Sequence, residues 1–189
     1  MPCTKEPAMS TRPQHDRSVS MLRANLVALS LGIPVALAQL ALFVLLHDEL
    51  RIAITLPGAL LFLVVMFASI VVHELIHGLT WQFAGGRATT SVTYGMQWKT
   101  LTPYAHLSGP IAVGVYRLGG LMPGLVLGLI PYALSLISGN SYLLLFGVLH
   151  TLAAGGDWLI LWLLRGVRPG TLVEDHPSRA GCYVLEPEA

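Results

Sequence analysis

The sequence predicts an all-α membrane protein with four transmembrane helices. Of its 189 residues, 54% are hydrophobic and only 11% are charged, against about 25% charged residues in an ordinary soluble domain. A soluble fold of about 150 residues buries only roughly 70% of its surface, so this much apolar surface needs a membrane to cover it. The chain also contains four apolar runs near the length of about 20 residues that a bilayer core requires.

These runs divide the chain into three parts. Residues 1–20 contain Pro2, Pro7 and Pro13 and few large apolar side chains, a composition typical of a disordered tail. Residues 21–168 form the predicted four-span membrane domain, and residues 169–189 form a C-terminal tail. The spans are predicted at about Leu22–Leu46, Ile52–Phe83, Leu118–Ile137 and Tyr142–Leu164. The first span is not a cleaved signal peptide, because about 20 mostly polar residues precede it and no small-residue cleavage site follows.

The loop between spans two and three has two open interpretations. Residues 91–94 and 96–100 are rich in β-forming side chains around Gly95, which favours a short β-hairpin. The edge of such a hairpin could pair with an extended substrate. The alternative is a loop on the membrane surface, with Trp98 and Tyr104 at the lipid headgroups.

The positions of lysine and arginine predict the orientation of the helices. Basic residues flank the first span, the middle loop and the end of the fourth span: Lys5, Arg12, Arg17, Arg23, Arg87, Lys99, Arg117, Arg165, Arg168 and Arg179. Both termini and the middle loop are therefore predicted to lie in the cytoplasm, with the protein integral to the cell membrane as a multi-pass protein. A net charge of +1 provides no basic face for a phosphate backbone, which excludes nucleic-acid binding as a function class.

Two carboxylates stand out within the predicted spans. Between Leu50 and Val173 the only acidic side chains are Glu74 and Asp157. A charged group at the bilayer centre costs at least about 2.5 kcal/mol, so it usually binds a partner or a metal, or faces water. Both residues are therefore candidate functional residues.

Glu74 lies in the motif His73-Glu74-Leu75-Ile76-His77, which has the HExxH spacing of metallohydrolases. On a helix, His73 and His77 lie one turn apart on the same face, so their imidazoles can bind one zinc ion. Glu74 then projects beside the metal, where it can take a proton from the attacking water and pass it to the leaving amine. The alternative is a buried hydrogen-bonded cluster that holds the helices together.

Asp157 is the candidate third zinc ligand. His77 and Asp157 each precede the predicted cytoplasmic end of their span by eight residues, which corresponds to about 12 Å of helix, so both lie at a similar depth. The small residues before Asp157, Ala153 to Gly156, allow helices to approach closely. The alternative is a pair between Asp157 and Arg165 or a backbone group.

Three other polar features have less definite interpretations. His150 lies about 10 Å along the helix from Asp157, too far to bind the same ion, and is interpreted as a supporting or packed polar residue. His106 either lines the path of the substrate or lies on the surface. The cluster Glu174-Asp175-His176 is interpreted as a solvated turn before Pro177.

The motif around His73, from Val71 to Gly78, together with the distant Gly155-Gly156-Asp157, resembles a small membrane zincin. It is most similar to the putative zincin peptidase family, domain of unknown function 3267, and more distantly similar to site-2 intramembrane proteases. The resemblance covers roughly residues 52 to 185. It implies zinc ligands at His73, His77 and Asp157 and a catalytic Glu74. The chain departs from site-2 proteases because its aspartate lies in Gly-Gly-Asp-Trp instead of an Asp-Gly motif, and because it has no inserted PDZ-like domain.

These observations together predict a zinc-dependent membrane endopeptidase. Its expected partners are a peptide or membrane-protein substrate and the lipid bilayer, and its oligomeric state is left open. The alternative is a non-catalytic membrane protein whose metal site is structural or serves transport. A structural zinc site normally has four protein ligands, however, and a fourth is not obvious in the sequence.

Overall fold

The structure, a computed structural model, describes residues 14–50, 55–86, 91–97 and 102–186. Its helices are α1 (Met21–His47), α2 (Leu56–Gly85), α3 (Val113–Pro123), α4 (Ile130–Ser138), α5 (Ser141–Ala153) and α6 (Gly155–Leu164), and a π-helical segment (Gly124–Leu129) joins α3 to α4. Its strands are β1 (Gln14–Val19), β2 (Ser91–Gln97), β3 (Thr102–Ser108), β4 (Ile111–Ala112), β5 (Leu172–Asp175) and β6 (Ala180–Leu185).

Among the described residues, three helical stretches are long and apolar enough to cross a membrane: α1, α2 and the continuous stretch of residues 113–138. Helices α5 and α6, bent by 42° relative to each other, make a fourth if they count as one span. In the most apolar stretches of α1 and α2, only 17% and 6% of the residues are buried inside the protein. Their leucine, valine and phenylalanine side chains therefore face outward, as expected for helices that contact lipid.

Short polar signals set the ends of the first two helices. The Ser20 hydroxyl accepts a hydrogen bond from the Arg23 N–H at 3.3 Å, and the Thr55 hydroxyl accepts one from the Gly58 N–H at 3.2 Å. Each bond satisfies an N–H group that has no partner within its own helix. Helix α1 ends at Asp48, whose φ of 61° turns the chain out of the helix.

The third helical stretch is irregular because of its prolines. Pro131 has no N–H, and its ring conflicts with the carbonyl group four residues earlier in a regular α-helix. The π-helical segment lies directly before α4, in the turn where that conflict would arise. A Cβ atom at Gly147 would lie 2.6 Å from the Tyr132 backbone nitrogen, so α5 packs with its backbone directly against this stretch.

The strands form two antiparallel sheets at one end of the helices. One sheet has four strands in the order β1-β6-β5-β4, and the other consists of β2 and β3. Val19 pairs with Ala180 and Ile111 pairs with Val173, so the first sheet joins the start of the described chain, the middle loop and the C-terminal segment. These three parts therefore lie on the same side of the helices.

The strands correct two expectations from the sequence. The prediction of an all-α fold with disorder throughout residues 1–20 is wrong for residues 14–19, which form β1. This strand is polar, and its partner β6 is more than 160 residues away, so local composition does not reveal it. Residues 1–13 lie outside the described residues. The C-terminal segment is also packed, since Val173, Cys182 and Leu185 are buried.

The middle loop contains an antiparallel strand pair, but its position differs from the predicted hairpin. Gly95 lies within β2, opposite Tyr104 of β3, and not at a turn. A Cβ atom at residue 95 would lie 2.4 Å from the Tyr104 hydroxyl oxygen, so the glycine accommodates a tyrosine ring that crosses it. Trp98, Lys99 and Arg87 lie outside the described residues.

Candidate metal centre

Helix α2 and helix α6 bring together the three residues that the sequence predicted as zinc ligands. The Nε2 atoms of His73 and His77 are 3.2 Å apart. Asp157 lies 3.2 Å from His73 Nε2 through Oδ2 and 3.4 Å from His77 Nε2 through Oδ1. One ligand atom from each residue lies within 4.8 Å of the others, so the three residues could hold one metal ion.

The break between α5 and α6 positions Asp157. Helix α6 begins at Gly155, directly after the break at Ala154, and Asp157 lies in its first turn. The N-terminal end of a helix carries a partial positive charge, which stabilises a carboxylate there. A helix that begins inside the bundle thus provides a favourable place for an aspartate that faces α2. The alternative partner, Arg165, donates to the Trp162 carbonyl and lies over the Trp162 ring instead.

The donor atoms of this cluster fit a zinc ion. Tetrahedral zinc with ligands at about 2.0–2.1 Å holds neighbouring ligand atoms about 3.3 Å apart. The two histidine Nε2 atoms are 3.2 Å apart, and the Asp157 carboxylate reaches His73 through Oδ2 at 3.2 Å and His77 through Oδ1 at 3.4 Å. Asp157 Oδ2 is buried and has no hydrogen bond from the described residues, and the nearest histidine nitrogen, His73 Nε2, lies 3.2 Å away. A buried oxygen without a donor is costly, and a cation between these atoms would remove the cost.

The Gly119 carbonyl of α3 orients His77. His77 Nδ1 donates a hydrogen bond to the Gly119 carbonyl oxygen at 2.9 Å. In the neutral ring, Nε2 then carries a lone pair that faces the cluster. In that state His77 Nε2 and Asp157 Oδ1 are both acceptors, and they face each other at 3.4 Å. Two facing acceptors repel unless a cation or a proton lies between them, which again fits a metal ion.

Gly119 itself offers a test of this support. A Cβ atom at residue 119 would lie 2.0 Å from Nε1 of Trp81, whose ring stacks on His77 and donates to the Tyr116 carbonyl. We expect Gly119→Ala to destabilise the protein by about 1–3 kcal/mol and to lower zinc affinity about tenfold or more by displacing the carbonyl that holds His77. Thermal unfolding and zinc titration in detergent measure both effects.

The neighbouring glycine provides the matched control. A Cβ atom at Gly120 would meet only the flexible side chain of Leu161, at 3.4 Å. Gly120→Ala should therefore change neither quantity appreciably. Equal effects of the two substitutions would contradict the assigned role of the Gly119 carbonyl.

Glu74 lies next to the cluster and contacts strand β3. Its Oε2 accepts a hydrogen bond from the Ala105 N–H at 2.8 Å. The Leu107 N–H, two residues further along β3, donates to Asp175 Oδ2 at 2.9 Å. Alternate N–H groups of a strand point the same way, so the edge of β3 that faces away from β2 faces Glu74 and Asp175.

A cavity of about 320 Å³ opens beside the cluster. Its wall includes Glu74, His77 and Asp157 on the helices, and it continues to residues of β3, the C-terminal segment and the start of α1. Part of the C-terminal segment, predicted as a solvated turn and tail, thus belongs to the cavity wall: Asp175, His176 and residues 179–181. The cavity therefore adjoins His77 and Asp157 of the cluster directly.

Asp175 is a residue whose importance the sequence did not indicate. It accepts hydrogen bonds from the Tyr116 hydroxyl at 2.6 Å and from Leu107, and His106 Nδ1 lies 3.4 Å from its Oδ2. Burial raises the pKa of the Asp175 carboxyl, whereas the hydrogen bond from Tyr116 acts in the opposite direction. Its neighbours Pro177 and Ser178 are exposed, which explains why this stretch resembles a solvated turn in sequence.

His150 does not join the cluster, as the sequence predicted from its distance along the helix. Its Nε2 lies 2.7 Å from the Ser69 hydroxyl, one helical turn before His73 on α2. Ser69 in turn donates to the Met66 carbonyl at 2.7 Å. His150 therefore links α5 to α2 within the bundle.

Comparison with known families gives one match. A family model described as putative zincin peptidase matches residues 66–172, more than half of the chain. The matched region begins within α2 before His73 and ends at the first residue of β5, so it includes all three residues of the cluster and Glu74. No curated protein and no solved structure matches the chain.

Proposed function

Because the chain belongs to the putative zincin peptidase family, we propose that it is a zinc-dependent endopeptidase that cleaves membrane or membrane-proximal proteins. The observation that carries this proposal is the convergence of His73, His77 and Asp157 beside Glu74. We assign His73, His77 and Asp157 as zinc ligands and Glu74 as the general base. The resemblance to site-2 proteases stays a prediction.

Zinc, when bound, supplies a Lewis acid that favours the ionisation of water and polarises a carbonyl group. The proton transfers are carried out by a residue of the chain. Glu74 accepts a proton from the attacking water and delivers it to the leaving nitrogen, since its carboxylate lies next to the cluster and lines the same cavity. Before substrate binds, the Ala105 N–H holds one oxygen of this carboxylate beside the cluster.

The number of ligands supports a catalytic site over a structural one. Within the part of the chain that the structure describes, the cluster has three ligands, whereas structural zinc sites are closed by four. Purified protein in detergent is expected to bind about one zinc per chain and to cleave peptides only while zinc is present. Absence of bound zinc, or cleavage that survives complete removal of the metal, would overturn the proposal.

We assign the outer edge of β3 as the place where an extended substrate binds. The N–H groups of Ala105 and Leu107 point into the site, where Glu74 and Asp175 now accept their hydrogen bonds. A peptide strand added to this edge would take over these N–H groups and lie beside Glu74. Extended binding also suits a protease, because a helix shields its peptide bonds.

N-methylated peptides test this binding mode without altering the enzyme. The substrate residues that hydrogen-bond to β3 through their N–H groups alternate along the strand. Methylation of a substrate N–H should therefore matter only at these alternate residues. We expect kcat/KM to fall about tenfold for methylation at alternate positions and to change little at the positions between, given about 0.5–1.5 kcal/mol per hydrogen bond. Equal losses at every position would contradict edge pairing.

We further propose that the sheet end of the protein faces the cytoplasm and that the protein is a multi-pass protein of the cell membrane. The basic residues Arg17, Arg117 and Arg179 belong to the side of the helices that carries the sheets, and cytoplasmic loops are rich in lysine and arginine. The turn between α4 and α5, residues 139–140, lies at the opposite end and contains no basic residue.

Single cysteines report this orientation. With Cys3 and Cys182 replaced by serine and alanine, Ser138→Cys should react with a membrane-impermeant maleimide in intact cells. Ser178→Cys, exposed on the sheet side, should react only after permeabilisation. The reverse pattern would show that the assigned orientation is wrong.

A further inference from the structure

We propose that His106 is a second catalytic residue, held in position by Asp175, and that it donates a hydrogen bond to the carbonyl oxygen of the peptide bond being cleaved. The inference rests on the proposed peptidase function and adds to it a group that acts on the substrate. It gives His106 a chemical role beyond lining the path of the substrate.

Strand β3 places His106 close to the reacting groups. The Ala105 N–H donates to Glu74 at 2.8 Å, so the backbone touches the proposed base one residue before His106. His106 lines the same cavity as Glu74, His77 and Asp157. Its side chain is 35% exposed, which leaves part of the imidazole open to a molecule in the cavity.

Asp175 restricts the orientation of the His106 imidazole from its Nδ1 side. Its carboxylate lies 3.4 Å from His106 Nδ1, and its side chain is only 12% exposed. The Tyr116 hydroxyl and the Leu107 N–H donate to this carboxylate at 2.6 and 2.9 Å, so it is held from α3 and from β3. A carboxylate beside one ring nitrogen restricts the orientation of a histidine and leaves the other nitrogen, Nε2, for a ligand.

In the proposed reaction, His106 Nε2 stabilises the charge that develops on the carbonyl oxygen. The water oxygen adds to the carbonyl carbon, the π electrons move to the carbonyl oxygen, and Glu74 holds the proton of the water. The electron pair on that oxygen then re-forms the C=O bond as the C–N bond breaks, the electron pair of the C–N bond leaves with the nitrogen, and the nitrogen receives the proton from Glu74. His106 transfers no proton. It stabilises the negative oxygen through a hydrogen bond donated by Nε2, while Asp175 lies at Nδ1.

The other explanation for the pair is purely structural, since His106 and Asp175 also tie β3 to β5. The chain contains a matched pair for comparison: His15 Nε2 lies 3.0 Å from Glu186 Oε1 on the exposed sheet edge, with 69% of the histidine side chain exposed. That pair has the same chemistry but does not line the cavity. His15→Ala is therefore the control for His106→Ala.

The experiment compares wild type, His106→Ala, His106→Gln, His15→Ala and Glu74→Gln on one peptide that wild type cleaves. We expect His106→Ala to lower kcat about 10²-fold, the typical effect of removing an oxyanion donor, with KM and bound zinc nearly unchanged. His106→Gln, which keeps an N–H donor, should recover part of kcat, and His15→Ala should match wild type. Binding of a phosphonamidate peptide, whose tetrahedral anionic group resembles the reacting carbon, should weaken about 10²-fold in His106→Ala.

The outcomes separate the two levels of the proposal. If Glu74→Gln is inactive but His106→Ala keeps the kcat and the phosphonamidate affinity of wild type, the role of His106 is wrong and the peptidase function stands. A rise in KM alone, or an equal loss in His15→Ala, also overturns it. If Glu74→Gln is as active as wild type, the peptidase mechanism fails and the role of His106 fails with it.

Discussion

Glu74→Gln is expected to reduce peptide cleavage by about 10²–10⁴-fold, the usual contribution of a general base, while the protein retains its zinc. Glutamine keeps the size of the side chain and an oxygen that can accept the Ala105 N–H, but it cannot take a proton from water. Glu74 is separate from the three converging ligand atoms, so metal content should not change. Cleavage rates in detergent, together with zinc per chain from elemental analysis, measure both parts of this expectation.

A second glutamate provides the control. Glu174 lies on β5 beside Asp175 but is not part of the cavity wall. Glu174→Gln removes the same charge without touching the site, so its cleavage rate should equal that of wild type. If Glu74→Gln cleaves as fast as Glu174→Gln, Glu74 is not the base.

Asp157→Asn is expected to lower zinc affinity more than about 10²-fold. Removing a group that only supports a zinc ligand lowers zinc affinity about 10–100-fold, and this substitution removes a proposed ligand itself. The amide is neutral and binds zinc poorly, and the helix N-terminus at Gly155 no longer faces a negative charge. Competition with a chromophoric chelator measures the affinity, and circular dichroism checks that α6 still forms.

Asp175→Asn is the matched control for this loss. Asp175 is also a partly buried carboxylate of the same cavity, but it does not belong to the three-residue cluster. It should therefore keep the zinc affinity of wild type. Full zinc binding by Asp157→Asn, or an equal loss in both variants, would mean that Asp157 is not a ligand.

Most of the helical fold could be predicted from the sequence. Three of the predicted spans coincide within a few residues with α1, α2 and the stretch 113–138, and the fourth coincides with α5 and α6, which make one span only if the bent pair counts as one. The reason is physical, since a bilayer core demands about 20 consecutive apolar residues and each run is continuous in the chain. The bend of 42° between α5 and α6 was not predicted, because it depends on how neighbouring helices pack.

The sheets were predicted least well, for a related reason. Strand β1 is short and polar, and it forms because β6 offers its backbone groups from the other end of the chain. The middle-loop strands were placed around Gly95, whereas β2 runs through that glycine and pairs with β3. Strand pairing joins segments that are distant in the chain, and no local pattern in residues 14–19 or 172–185 indicates which segment each strand pairs with.

The sequence by itself determined the long apolar helices and the HExxH motif, because hydrophobic length and the spacing of His73 and His77 are local properties of one helix. It also singled out Asp157, since an aspartate in an apolar span needs a partner. Only the tertiary structure decided that Asp157 lies within 3.4 Å of both histidines, and that the Gly119 carbonyl, the Ala105 N–H and the His106–Asp175 pair surround them. Backbone groups carry no sequence signal, and their convergence depends on how α3, α6 and the strands pack around α2.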